Sequence, residues 1–274
     1  MKNQLIIFSK NRANQLNLLL ETLYLNSNNI FDQIVVLFKT TSVKHKETYN
    51  ILINKHNNVL FVEEINFKNN LLSLIDDINY DLTTYLVDDI IFYNKIDFDK
   101  EIIFNKFTKD IICISLRLGL NCTYSHPANL HYKIYNYNEL GDNMIVFNYE
   151  NQMNGDFKYP LSLDGHIFRS KQIKSLIKNI NFVNPNTLEA NLQYYLFSYL
   201  IEDNVLCFKE SKIVGSPVNL VNDTFNNRFG IEHRISEDEL CDKFLNNEFI
   251  DFYKLNFSDI NGPHKEIKYQ FKKL

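Results

Sequence analysis

Cysteine is scarce. The 274 residues hold four, Cys113, Cys122, Cys207 and Cys241, widely spaced and without a Cys-x-x-Cys pair. That spacing argues against a zinc site and against a disulfide framework, and it makes a reducing compartment the default expectation. Glycine and proline are few as well, seven and five, and no Gly/Ser-rich linker marks a domain boundary; Asn-rich turns join the elements instead. Long apolar runs are missing. Met1-Lys2-Asn3-Gln4-Leu5-Ile6-Ile7-Phe8 is too short for a signal peptide, and nothing approaches the ~20 apolar residues of a membrane span. A cytoplasmic protein is expected, with peripheral contact with a membrane left open. An excess of positive charge is also absent: the formal net charge is −4, so nucleic acid is not an expected partner, and an anionic ligand needs a local cationic site. Lys265, Lys268, Lys272 and Lys273 read as a solvated tail, the alternative being contact with an acidic surface. Finally, no Gly-x-Gly-x-x-Gly follows the first apolar run and no Walker Gly-Lys-Ser/Thr occurs, which counts against the usual dinucleotide fold and against a P-loop.

What the chain does have is alternation. Apolar runs over 5–8, 32–38, 59–62 and 83–87 predict four strands. Helical spacing lies between them, at Leu16, Leu19, Leu20 and Leu23, then Tyr49, Leu52 and Ile53, then Leu71, Leu72, Leu74, Ile75 and Ile78. Such alternation predicts an α/β domain with a mostly parallel sheet flanked by helices, and the length suffices for a large core with or without an appended subdomain. Further core strands are expected over 111–116, 205–208 and 212–214, and helices around Ile173 to Ile180 and from Pro185 onward. Ser236 with Glu239 has the spacing of a capping box ahead of another helix.

The fourth strand runs into Asp88 and Asp89. Two carboxylates at the carboxyl end of a buried strand stand where ligands of open α/β folds bind, and Mg²⁺ is commonly held by one or two carboxylates together with substrate phosphates. The competing reading is a solvated turn. The first strand ends in Ser9-Lys10-Asn11-Arg12 ahead of a helix, an arrangement suited to an anion; alternatively Asn11 caps the helix while Lys10 and Arg12 face solvent. Tyr124, His126, His131, Tyr132, Tyr135 and Tyr137 crowd a segment of weak periodicity, either to stack on a sugar or a base or to fold back on the core. The Asp164-Gly165 pair marks a hairpin turn or a close backbone approach to a ligand. Asn186 and Glu189, three apart at a helix start, have capping-box spacing.

Taken together, the four strands without a glycine fingerprint, Ser9-Lys10-Asn11-Arg12 after the first, and Leu86-Val87-Asp88-Asp89-Ile90-Ile91-Phe92 at the fourth resemble the GT-A glycosyltransferases, in particular the family-two-like group with its acidic DxD-type signature. The resemblance covers the N-terminal half; later it rests on Leu163-Asp164-Gly165-His166-Ile167-Phe168-Arg169 and on Pro185-Asn186-Thr187-Leu188-Glu189. It implies a GT-A (Rossmann-like) mixed sheet with a helical C-terminal extension. The division it suggests is a catalytic domain over 1–215, with 1–116 as the nucleotide-sugar half and 117–215 as the acceptor half, and an extension over 216–274 packed on it.

By that resemblance Asp89 ligates Mn²⁺ or Mg²⁺ bridging the donor diphosphate, Asp88 faces the ribose or the metal's water shell, and Ser9, Asn11, Arg12, Lys39 and Thr40 line the nucleotide. His264 would reach the metal or the diphosphate. Glu189 would be the base that deprotonates the acceptor hydroxyl, with Asp164 as second choice. Two departures stand out: Val87 replaces a third carboxylate, and Phe38-Lys39 replaces the acid that often reads the base. The activity implied is transfer of a sugar from a nucleotide-diphosphate sugar to a hydroxyl of a glycan or glycolipid, with inversion. Alternatives are a sugar nucleotidyltransferase, against which the missing Gly-rich loop argues, and a non-catalytic carbohydrate-binding module. Oligomeric state is not indicated.

Overall fold

The computed structural model describes residues 1–76, 79–199, 203–222 and 224–273; Ile78, counted above with the third helix, lies outside them. The first half follows the alternation: β1 (Asn3–Lys10), α1 (Ala13–Asn26), β2 (Gln33–Lys39), α2 (Val43–Lys55), β3 (Leu60–Glu63), α3 (Phe67–Ile75) and β4 (Leu82–Val87). β1 pairs in parallel with β2 on one side and β4 on the other, and β2 pairs in parallel with β3. The connections therefore reverse direction between β1 and β4, which opens a crevice at their carboxyl ends. Side chains alternate along each strand. Leu5 and Ile7 pack with Leu16, Leu19 and Leu23 of α1, whereas Ile6 and Phe8 pack with Phe67, Leu71 and Ile75 of α3. Both faces of the sheet are covered, so its strands read as continuous apolar runs.

The fourth unit breaks the pattern. β4 is followed by β5 (Ile90–Phe92) and short α4 (Lys100–Asn105), then β6 (Ile111–Ser115), the ribbon of β7 (Tyr124–Ser125) and β8 (Leu130–His131), and the hairpin of β9 (Tyr137–Gly141) and β10 (Met144–Asn148). β11 (His166–Arg169), α5 (Ser170–Lys178), α6 (Pro185–Tyr199), β12 (Asn204–Phe208) and β13 (Ile213–Gly215) complete the main body. The large sheet has the order β3-β2-β1-β4-β11-β6-β12-β10-β9. Only β11 and β10 run against the rest. That reversal matters for the site: β11 starts at the rim where β1, β4 and β6 end, and it carries the Leu163-Asp164-Gly165 segment there.

Gly165 does not sit in a hairpin turn, and the group that closely approaches its backbone is Ile213. The glycine's φ is +85° and an added Cβ would stand 2.1 Å from Ile213 Cδ1, while its N–H donates to the Tyr85 carbonyl at 2.8 Å and its carbonyl accepts from Leu116 N–H at 2.9 Å. Only glycine tolerates both the left-handed backbone and the contact.

Beyond β13 the chain packs back onto α1. Leu240, Ile250, Ile260 and Ile267 form one apolar cluster with Leu18, Ile91 and Val214. This extension is helical at α7 (Glu237–Leu245), capped by the Ser236 hydroxyl, which accepts from Glu239 N–H at 3.1 Å. Among the described residues the rest is a 3-10 turn (Phe252–Lys254), a ribbon of β14 (Glu248–Ile250) and β15 (Phe271–Lys273), and irregular chain. Lys272 and Lys273 therefore belong to a paired strand and not to a solvated tail; half-buried Phe271 of the same strand packs against the cluster of Leu18, Ile250 and Ile267. All four cysteines are free and buried. Among the described residues no helix is long and apolar enough to cross a membrane.

Candidate active site

A cleft of about 780 Å³ opens along the rim where β1, β2, β4 and β6 end and β11 begins. Ser9, Arg12, Lys39, Asp88 and Asp89 line its one side, and Asp164, Glu189 and His264 line the other. Asn11 and Thr40 lie outside the lining. Asn11 is spent on a loop tie: its Nδ2 donates to Thr41 Oγ1 at 2.7 Å and its Oδ1 accepts from Thr41 N–H at 3.0 Å. Its φ of +60° is one that Asn tolerates better than most residues. Nor does it cap α1, whose N-cap is Arg12 without a side-chain cap bond.

Asp88 is not a solvated turn residue. Its Oδ2 accepts from the Ser9 hydroxyl at 2.9 Å and from Lys10 N–H at 3.0 Å, and its Oδ1 accepts from Arg12 Nη1 at 3.0 Å. Ser9 Oγ in turn lies 2.5 Å from the buried Tyr49 hydroxyl. Arg12, which the solvent-facing reading placed outside, is buried between the two acids. The same Nη1 reaches Asp89 Oδ2 at 3.0 Å, while Nε and Nη2 donate to Asn219 Oδ1 and to the Asn219 carbonyl, each at 2.6 Å. Burial works against the guanidinium charge, but Asp88 and then Asp89 outweigh it and hold Arg12 more firmly protonated than usual. Asp89 is different. Burial pushes its carboxyl up to about 6, with Arg12 opposing and the Asp88 and Asp164 charges reinforcing.

The facing wall is built from β11, α6 and the extension. His264 arrives there because Gly215 N–H donates to the Pro263 carbonyl at 2.8 Å and Lys265 N–H to the Gly215 carbonyl at 2.9 Å, a strand-like pairing with β13. Its Nδ1 lies 3.5 Å from Arg117 Nη2 and its Nε2 lies 3.2 Å from Asp164 Oδ2. A guanidinium only donates, so Nδ1 accepts and the proton sits on Nε2, pointed at Asp164. A metal at Nε2 would have to compete with that bond. Arg117 also bonds Ser162 Oγ, and its Nη2 donates to Asp156 Oδ1 at 2.9 Å. Burial alone would raise Asp164, but the His264 bond and the Arg117 charge prevail and hold it below the usual carboxylate range.

Glu189 is free of capping duty. The cap of α6 is Asn184, whose Oδ1 accepts from Thr187 N–H at 2.9 Å, with Pro185 in the first helical position that suits it. Glu189 thus lies a turn inside the helix, and its Oε1 accepts from Leu163 N–H at 3.0 Å. Burial, reinforced by the Asp164 charge, pushes its carboxyl up to about 7 although Arg117 pulls the other way. Two neighbouring carboxylates are thereby driven apart in acidity, the pattern that separates acid and base roles in catalytic sites.

Among the described residues no three His, Cys, Asp or Glu side chains converge as a cation cage. Both oxygens of Asp88 are engaged, whereas Asp89 Oδ1 has no hydrogen-bond partner among the described residues. One carboxylate oxygen beside room for phosphates fits the way Mg²⁺ is usually held, through one or two carboxylates, substrate phosphates and waters. Of the ring cluster only His126 lines the cleft. Tyr132 is buried with its hydroxyl on Asp156 Oδ2 at 3.1 Å, the folded-back arrangement.

Cleft residues that escaped the sequence reading include Arg117, Asp156, Asn219 and Arg228. Arg117 stands two places beyond the end of β6, so the rim argument that singled out Asp88 also reaches it. Asp156, at the start of a 3-10 turn (Asp156–Lys158), and Asn219, in irregular chain, carry no local signal.

No family model matches the chain. It is 28% identical over 288 residues to the bifunctional glycosyltransferase pgtA of Dictyostelium discoideum, covering 94% of this chain and 37% of that protein. The chain thus spans little more than a third of that relative. The crystal structure of S. aureus TarS superposes with a TM-score of 0.50 at 15% identity, over 80% of this chain and 37% of TarS. TarS 1-349 in complex with UDP gives 0.50 at 16% identity, over 79% of this chain and 61% of that one. The chain has a GT-A-like fold, and its curated relative is a glycosyltransferase.

Proposed function

We propose that the chain is a glycosyltransferase that moves a sugar from a nucleoside-diphosphate sugar to a hydroxyl of a glycan or glycolipid, with inversion at the anomeric carbon. The observation that carries this reading is that one cleft joins the Arg12–Asp88–Asp89 rim to the Glu189 wall. The pgtA likeness and the UDP held by TarS agree with it. In this proposal 1–116 binds the donor, 117–215 the acceptor, and 216–274 closes the site through Asn219 and His264.

Ser9 and Arg12 fix Asp88, which orients the nucleotide, and Lys39 faces the same side. Asp89 would hold Mn²⁺ or Mg²⁺ through its free oxygen, and such an ion, when bound, would neutralise charge on the diphosphate leaving group. Glu189 takes the proton from the acceptor hydroxyl: at a pKa of about 7 it is largely ionised just above neutrality yet basic enough to accept. Asp164, held ionised by His264 and Arg117, is the weaker base and serves to raise Glu189. The test is calorimetry with a panel of nucleoside diphosphates, UDP first, with and without Mn²⁺. Tight binding that requires the metal supports the proposal; binding of glycan with no nucleotide binding under either condition overturns it.

A further inference from the structure

We propose that Arg228 is the recognition point for an anionic group, a phosphate or carboxylate, carried by the acceptor; this rests on the glycosyltransferase reading. The other cleft-lining cations with described charge partners are neutralised in place. Arg12 sits between Asp88 and Asp89, Lys39 Nζ is 3.1 Å from Glu64, and Arg117 Nη2 is 2.9 Å from Asp156. Arg228 also lines the cleft, yet its hydrogen bonds among the described residues all go to neutral oxygens. Nη1 donates to the Tyr124 hydroxyl at 2.5 Å, to Asn129 Oδ1 at 3.0 Å and to the His126 carbonyl at 3.3 Å. Nη2 and Nε take no partner among the described residues. One edge of the guanidinium is therefore anchored and the Nη2/Nε edge is unused, and that edge matches the two oxygens of a phosphate or carboxylate.

The anchoring is rigid. Tyr124 Oη also donates to Asn129 Oδ1 at 2.7 Å, and the loop that carries Arg228 is pinned at Asn219 by Arg12, at Thr224 by Asn184 Nδ2 at 2.7 Å, and at Gly230, whose N–H donates to the Pro217 carbonyl at 2.9 Å. A charge held this way loses little freedom when it binds. Pro127, Ala128, Phe225 and Phe229 line the same cleft and bring it no competing charge. The side of the cleft decides the source of the anion. Every Arg228 partner belongs to the β7–β8 region of the 117–215 half, while the donor rim lies at the β1/β4 crevice with Arg12 as its own cation.

The experiment saturates the protein with Mn²⁺ and the nucleoside diphosphate it binds, then titrates galactose 6-phosphate, glucuronate and galactose by calorimetry. The expected result is binding of at least one anionic sugar and not of galactose. That binding weakens at least tenfold in Arg228→Met and falls with added salt, while the nucleoside diphosphate Kd stays unchanged. Arg228→Lys retains part of it, and Tyr124→Phe, which keeps the charge, retains most, so a loop merely loosened by substitution is told apart. Three outcomes overturn the proposal: no anionic sugar binds the loaded wild type, galactose binds as tightly as the anions, or Arg228→Met weakens the nucleoside diphosphate and spares the sugar. Absence of any nucleoside diphosphate binding by the wild type instead overturns the glycosyltransferase reading.

Discussion

Glu189→Gln separates a base from a brace, because the two roles move stability and turnover in opposite directions. In the folded chain burial and the Asp164 charge hold Glu189 at about 7, against an ordinary 4.5. Below about 4.5 both folded and unfolded chains carry the proton, and above about 7 neither does. Between the two the unfolded chain has released the proton while the folded chain still binds it, so stability falls as pH rises across that window. The difference corresponds to ~3 kcal/mol, fully present above pH 7. Glutamine keeps an oxygen to accept from Leu163 N–H, now at 3.0 Å, but never ionises. Urea denaturation should therefore find Glu189→Gln more stable than wild type at pH 8 by up to ~3 kcal/mol, with the gain gone at pH 4.5. Turnover should fall about 10²- to 10⁴-fold, the usual loss for a general base, and the wild-type kcat/KM should rise with pH and level off above about 7. A variant destabilised equally at both pH values with turnover intact would refute the reasoning, since it would make Glu189 a structural brace.

Asp164→Asn removes a charge that raises Glu189, so the rising limb of kcat/KM against pH should move to lower pH; a limb that stays put denies the coupling. Asp89→Asn should weaken metal-assisted nucleoside diphosphate binding at least tenfold, ~1.4 kcal/mol, and in wild type that binding should fade as pH drops through about 6, where Asp89 takes up its proton; calorimetry across pH 5–8 reads both. Asn184→Ala should cost ~1 kcal/mol as a lost helix cap, whereas Asn186→Ala should stay within about 0.5 kcal/mol, and equal losses would mean the cap is misassigned.

The elements legible in the sequence were those that one face or one end defines locally. β2 and β4 match the expected strands to within one residue and β1 to within two at each end, because runs buried on both faces are hard to mistake; β3, at the sheet edge and only half-buried, still falls within one residue of its apolar run. The rim acids followed from strand direction alone. The β9–β10 hairpin did not: β9, Tyr137–Gly141, is exposed along its whole length and shows no alternation. Its turn, at Asp142 and Asn143 with φ of 50° and 53°, uses the left-handed pair without the glycine that usually advertises it. The α6 cap went astray because Asn184, Asn186, Thr187 and Glu189 offer two overlapping capping patterns. Proline decides between them, since Pro185 fits only as the first helical residue and puts the cap at Asn184.

What no local pattern could reveal is that the acidic pair depends on the extension. Arg12 is buried, and a buried cation is tolerated only when its donors find acceptors. Asp88 and Asp89 supply acceptors for Nη1 alone; Nε and Nη2 find theirs on Asn219, 207 positions further along. Asn219 is itself fixed, with Nδ2 donating to Gln15 Oε1 at 3.2 Å and to the Ile235 carbonyl at 3.0 Å. The loop that leaves Asn219 then carries Arg228 to the far side of the cleft, and His264 returns beside Gly215 to bond Asp164. A chain ending at β13 would keep the sheet and both aspartates yet leave a guanidinium half unsatisfied between them. The extension is therefore as much a part of the donor rim as the strands that end there.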